Sequence, residues 1–167
     1  MSERPANVLF LCTGNSARSI LAEALLNRDG GGRFRAFSAG SFPKGAVHPM
    51  ALEVLGDGGF STGGLRSKSW DEFAGAEAPP LDVIITVCDN AAGEVCPVWP
   101  GKPMTAHWGI EDPATVEGPD QRAAFDLALR RLSARVQAFL ALPPGTSPAE
   151  LKTRLREIGQ MRDADLG

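Results

Sequence analysis

A chain of 167 residues, 43% hydrophobic and 22% charged, has the size and composition of one globular domain with one substantial core. Its net charge of −3 offers no bulk attraction to nucleic acid or to an anionic membrane surface. Three cysteines, an odd number, argue against a structural disulfide framework. The N-terminal apolar stretch is too short for a signal-peptide core or a membrane span, so a cytoplasmic protein with catalytic or redox thiols is expected.

Ala6–Cys12 is an apolar run with an abrupt polar end, as expected of a strand buried on both faces. A helix is expected over residues 17–28 from the spacing of Ile20, Leu21, Ala24 and Leu25, stopped by Asp29-Gly30-Gly31-Gly32. Residues 34–38 read as a second strand, ended by Ala39-Gly40. His48-Pro49 opens a helix through Leu55, closed by Gly56-Asp57-Gly58-Gly59. Ser69 is placed to cap a short helix beginning at Trp70, with Asp71 and Glu72 in its first turn.

Residues 81–87 form the clearest strand, β-branched and continuous, delivering Cys88 at its end. Residues 105–110 form a weaker strand that delivers Glu111-Asp112-Pro113. A long helix over about 120–142 carries the stripe Phe125, Leu129, Leu132, Val136 and Phe139, and Pro143-Pro144-Gly145 ends it. From Ser147 a last amphipathic helix follows, with Leu151, Leu155 and Ile158. Strands alternating with helices indicate an open parallel α/β sheet in a single catalytic domain over 1–167, with its core at about 6–142 and a helical extension at about 147–160. Ligands of such sheets bind beyond the C-terminal strand ends, which gathers Cys12, Cys88 and Asp112 on one edge.

Between the first strand and helix lies Cys12-Thr13-Gly14-Asn15-Ser16-Ala17-Arg18-Ser19. A loop at a helix N-terminus aims unpaired N–H groups and the positive end of the dipole at an anion. Thr13, Gly14, Asn15, Ser16, Ala17 and Arg18 are therefore the expected oxyanion ligands, with Arg18 adding a planar fork of donors. The same field favours the thiolate of Cys12, as does a hydrogen bond donated by Ser19. A cysteine at a strand end is often only a small buried hydrophobe. The strand and helix around this one, and the backbone tolerance of Gly14 and Asn15, point instead to a thiolate attacking a phosphate-like group.

Asp112 can be a general acid or simply the first half of a turn-forming Asp-Pro pair. Cys88 and Cys96 bracket a polar, Gly/Pro-punctuated stretch, which suits a disulfide relay but also two unrelated buried thiols. A zinc site of three cysteines with His48 or His107 fits less well, because the Cys88–Cys96 gap exceeds the short ligand spacings usual for zinc. His48 reads as a helix-start residue and His107 as a core or rim histidine; Trp70, Trp99 and Trp108 read as packing residues. Glu23, Asn15 and Ser38 can share a polar cluster behind the loop with Lys68. No metal and no cofactor is expected.

On these residues the chain resembles the low-molecular-weight protein tyrosine phosphatase superfamily and, within it, the arsenate reductases coupled to thioredoxin, over roughly 6–142. The resemblance implies a flavodoxin-like, four-stranded parallel sheet with helices on both faces, an oxyanion loop around Cys12, Arg18 and Ser19, and Asp112 as general acid. Phosphatases of this type carry aromatic residues just after Asp-Pro; here Ala114-Thr115 follow and the chain has no tyrosine. Cys88 and Cys96 match the reductases' resolving pair, one residue further apart than usual. The implied chemistry is reduction of arsenate, with phosphate or sulfate as analogues. Cys12 attacks arsenic, Cys88 forms a disulfide with Cys12, and Cys96 takes over Cys88, with thioredoxin or glutaredoxin/glutathione as electron donor. Lys68 stands where some relatives place a potassium-binding aspartate, so its ammonium can replace the ion. The alternatives are a phosphotyrosine or phosphomonoester phosphatase using Cys12, Arg18 and Asp112, and a non-catalytic oxyanion or redox sensor.

Overall fold

Strand β1 (Ala6–Cys12) is the centre of the molecule, with Val8, Leu9, Phe10 and Leu11 all fully buried. The computed structural model describes residues 6–75, 78–87, 103–143 and 145–161. Four parallel strands lie in the order β2-β1-β3-β4, with β2 at Phe34–Gly40, β3 at Val83–Thr86 and β4 at Met104–His107. Cys12 pairs with Gly40, Leu11 with Thr86, and Thr86 with His107, so all four C-terminal ends reach one edge.

The two-residue alternation of a strand splits β1 between two cores. Val8, Phe10 and Cys12 face the larger one, shared with α1 (Arg18–Asp29), α2 (Pro49–Asp57), α3 (Gln121–Leu140) and α4 (Pro148–Gly159). Leu9 and Leu11 face a smaller one with Ala39, Leu81, Ile84 and Phe73, the last from a 3-10 turn at Trp70–Phe73. Among the described residues that turn is the helical cover of the second face. Ser69 caps it, its hydroxyl accepting from Asp71 N at 3.1 Å.

The sheet and all the expected helices are found; β1 has its expected bounds, β2 runs on to Gly40, and β3 and β4 are shorter than their apolar runs suggest. β3 and β4 stop early as paired strands, yet Asp82 N and Val87 N still donate to β1 at 2.9 and 2.8 Å, and Trp108 N and Ile110 N to Thr86 and Val87 at 2.7 and 3.1 Å. The long helix ends at Leu140, ahead of Pro143. Residues 148–159 pack through Leu155 and Ile158 into the main core. No helix among the described residues is long and apolar enough to cross a membrane.

Candidate active site

β1 ends at Cys12, and residues 13–17 curl back before α1 begins at Arg18, whose first turn has no side-chain cap. Neighbouring segments hold the loop by its carbonyls. Thr13 O accepts from Phe42 N (2.9 Å), Gly14 O from Lys44 N (3.0 Å), and Ser16 O from His48 N (2.8 Å). In a trans peptide the N–H points opposite to its C=O, so the N–H groups of Gly14, Asn15 and Ala17 turn to the other side of the loop, the arrangement of an anion nest. Asn15 adopts φ +45°, a left-handed conformation that asparagine tolerates. Gly40 lies so close to Thr13 O and Asn15 that a Cβ would not fit.

One hydrogen-bond chain orients the sulfur. The Lys68 backbone N–H can only donate, so Asn15 Oδ1 must face it (2.8 Å), which turns Asn15 Nδ2 toward Ser19 Oγ (2.8 Å). With that donor filling a lone pair, the Ser19 hydroxyl hydrogen is free for Cys12 Sγ at 2.9 Å.

Arg18 is held from the far side of the sheet edge. Its Nη1 donates to Ile110 O at 2.9 Å and its Nη2 lies 3.5 Å from Asp112 Oδ2. Asp112 is the turn-forming residue of its Asp-Pro pair and also faces the arginine. Its Oδ1 accepts from Ala114 N (3.0 Å) and caps the 3-10 turn Pro113–Thr115, while Oδ2 faces Arg18. The loop thiol, the guanidinium and a carboxyl thus all lie at the C-terminal edge of the sheet.

Behind the loop, the Lys68 ammonium contacts Arg66 O (3.1 Å), Ser38 Oγ (3.5 Å) and Glu23 Oε1 (3.9 Å). Ser38 Oγ also donates to Glu23 Oε1 at 2.5 Å. Burial pushes the Glu23 carboxyl up, against the pull of Lys68 and Ser38; burial pushes Lys68 down, against Glu23. A raised carboxyl loses stability as pH rises through its folded pKa, and a lowered amine gains stability as pH rises through its own. Burial therefore penalises each charge, and the charged partner is the largest offset to that penalty. Lys68→Met should cost about 3 kcal/mol by stranding Glu23. The double variant Lys68→Met/Glu23→Gln should recover part of that loss, and urea unfolding at pH 7 measures both. Because the ammonium already stands among these oxygens, initial rates should be equal in potassium and sodium chloride; strong potassium activation would overturn this reading.

His48 is the helix-start residue expected, its Nδ1 accepting from Met50 N at 3.0 Å. His107 sits at the exposed rim of β4, with Nδ1 2.6 Å from Thr86 Oγ1. Trp108 is core packing, and Trp70 packs against the smaller core. Among the described residues no three His, Cys, Asp or Glu side chains gather as a metal site. Cys88, Cys96 and Trp99 lie outside the described residues. Sequence reading passed over residues 42–44, which carry the loop, place Lys44 against Gly14 and leave Phe42 largely exposed beside it. An aromatic residue in a proline-containing loop between two elements was the available signal.

A family model described as low molecular weight phosphotyrosine protein phosphatase matches residues 7–155. An arsenate reductase of Halalkalibacterium halodurans is 34% identical over 134 residues, which cover 79% of this chain and 93% of that protein. The structure of an Archaeoglobus fulgidus arsenate reductase superposes with a TM-score of 0.59 at 29% identity, covering 78% of this chain and 98% of that one. A Corynebacterium glutamicum thioredoxin-dependent arsenate reductase superposes with a TM-score of 0.60 at 25% identity, covering 82% of this chain and 61% of that one.

Proposed function

Because the chain belongs to the low molecular weight phosphotyrosine protein phosphatase family, we propose that its oxyanion loop serves the reduction of arsenate to arsenite. The N–H groups of residues 13–18 and the Arg18 fork bind arsenate. The Cys12 thiolate attacks arsenic(V), and one arsenate oxygen leaves as water, its proton supplied by Asp112. Cys88 then attacks the Cys12 sulfur. The As–S electron pair stays on arsenic, which departs as arsenite, and a Cys12–Cys88 disulfide forms. Attack of Cys96 on Cys88 frees Cys12 and leaves a Cys88–Cys96 disulfide for an external dithiol to reduce. The two electrons come from thiols throughout. A thioredoxin, or glutaredoxin with glutathione, is the donor class, which suits a cytoplasmic, reducing setting.

The observation that carries this reading is the Cys12 thiol, 2.9 Å from Ser19 Oγ in a loop whose arginine reaches Asp112, in a chain with two further cysteines at positions 88 and 96. Phosphatase action is the second reading, favoured by the same thiol, arginine and Asp-Pro acid. Against it, Ala114 and Thr115 follow Pro113, where an aryl substrate needs an aromatic wall. Arsenite release with each donor system, set beside hydrolysis of an aryl phosphate, separates the two. In the same assay Cys96→Ser should give a single turnover and accumulate a Cys12–Cys88 disulfide, detectable by non-reducing peptide mapping. Unchanged multiple turnover would remove Cys96 from the relay.

A further inference from the structure

β4 is an edge strand, so the chain that leaves it has a sheet neighbour on one side only. Trp108, the next residue, is fully buried, and its indole Nε1–H donates to Leu155 O of α4 at 3.0 Å. Its ring lies between Phe10 and Phe139, with centroids 6.0 and 6.2 Å away. α4 comes so close that a Cβ on Gly159 would collide with His107 O and press on Trp108 Cδ1. Beyond the helix, Met161 O accepts from the guanidinium of the buried Arg135 on α3 at 3.0 Å. Two residues past Trp108 comes Ile110 O, which accepts from Arg18; two further comes Asp112.

We propose that α4 braces the oxyanion arginine. Through the Trp108 indole N–H and the close fit of Gly159 on His107, it fixes residues 108–112 so that Ile110 O and Asp112 hold the Arg18 guanidinium in register with Cys12. The inference rests on the reading of Arg18 as oxyanion ligand. A guanidinium binds a tetrahedral anion through paired donors in one plane, so its value depends on that plane being fixed before the anion arrives. Two tethers on one short segment supply that constraint, and the segment is only as still as its outer support. Trp108 and Gly159 touch no substrate; they are positioning residues.

The test uses the full chain with Trp108→Phe, which keeps a smaller aromatic ring and removes the donor, and Gly159→Ala, which pushes the helix off. Binding is read as the protection of Cys12 from iodoacetamide by arsenate and by phosphate, alongside kcat and KM for arsenate. Trp108→Phe should weaken protection and raise KM about fivefold, the scale of one lost hydrogen bond, with kcat changed less than twofold. Gly159→Ala should do the same or more. Leu81→Ala, a core truncation at the opposite end of the sheet, lowers the melting temperature and should leave protection as in the wild type. Wild-type protection in both brace variants, or equal weakening in Leu81→Ala, overturns the brace. Failure of arsenate to protect wild-type Cys12 overturns the site reading beneath it. Protection without arsenate reduction overturns the reductase assignment alone.

Discussion

Cys12→Ser should abolish arsenate reduction, with turnover falling by at least about 10⁴-fold to the level of the uncatalysed thiol reaction. A serine hydroxyl is not ionised at neutral pH and cannot pass sulfur electrons to arsenic. The substitution is small, and the site can accept it: the Ser19 hydroxyl that lies 2.9 Å from the sulfur can bond an oxygen equally well. The loop carbonyls stay tied to Phe42, Lys44 and His48, so the anion cradle should survive. Calorimetric titration with phosphate or sulfate should therefore still show binding by the inactive variant. Activity above background in Cys12→Ser would place the nucleophile elsewhere, and loss of binding along with activity would mean that the sulfur also holds the loop open.

Arg18→Lys should lower kcat/KM for arsenate by about 100-fold, mostly through KM. The charge is kept, so the experiment isolates geometry. A single ammonium cannot bond Ile110 O, face Asp112 and still offer two coplanar donors to an oxyanion, as the guanidinium does at 2.9 and 3.5 Å from those partners. Folding should be nearly unaffected, since α1 is anchored by Ile20, Leu21 and Leu25 in the main core. A decrease of less than about threefold would mean that bulk positive charge suffices and that the tethering of Arg18 is incidental.

The strands, the helix spacings and the eight-residue loop were legible because each is a local pattern. β1 shows as an unbroken apolar run because both of its faces are buried, and α3 shows as a stripe because one face is. The link between Glu23, Ser38 and Lys68 was also within reach, since polar residues facing a core need one another. What stayed hidden were contacts made by backbone atoms. Ile110 O holds Arg18 across 92 positions of sequence, and the Lys68 N–H fixes the Asn15 amide across 53. Almost any residue type supplies these groups (proline lacks the N–H), so composition carries no trace of them. Gly40 looked like an ordinary strand-end glycine and Gly159 drew no attention, and only their neighbours in space explain them. Asp112 falls between these cases: its Asp-Pro turn is a local pattern and is found, whereas the Arg18 partner of its second oxygen lies far away in sequence.

The loop is shaped by its own chain. Phe42, Lys44 and His48 grip it from behind, the Asn15–Ser19 pair grips it from within, and none of these bonds involves the anion. Such a cradle measures size and charge and separates arsenate poorly from phosphate, which is close to it in both. Discrimination must come after capture, because only the arsenic adduct can accept two electrons and leave. In a cell the flux through this protein would then follow the ratio of the two anions rather than the amount of either, and a phosphate-starved cell would clear the same dose of arsenate faster than a phosphate-replete one.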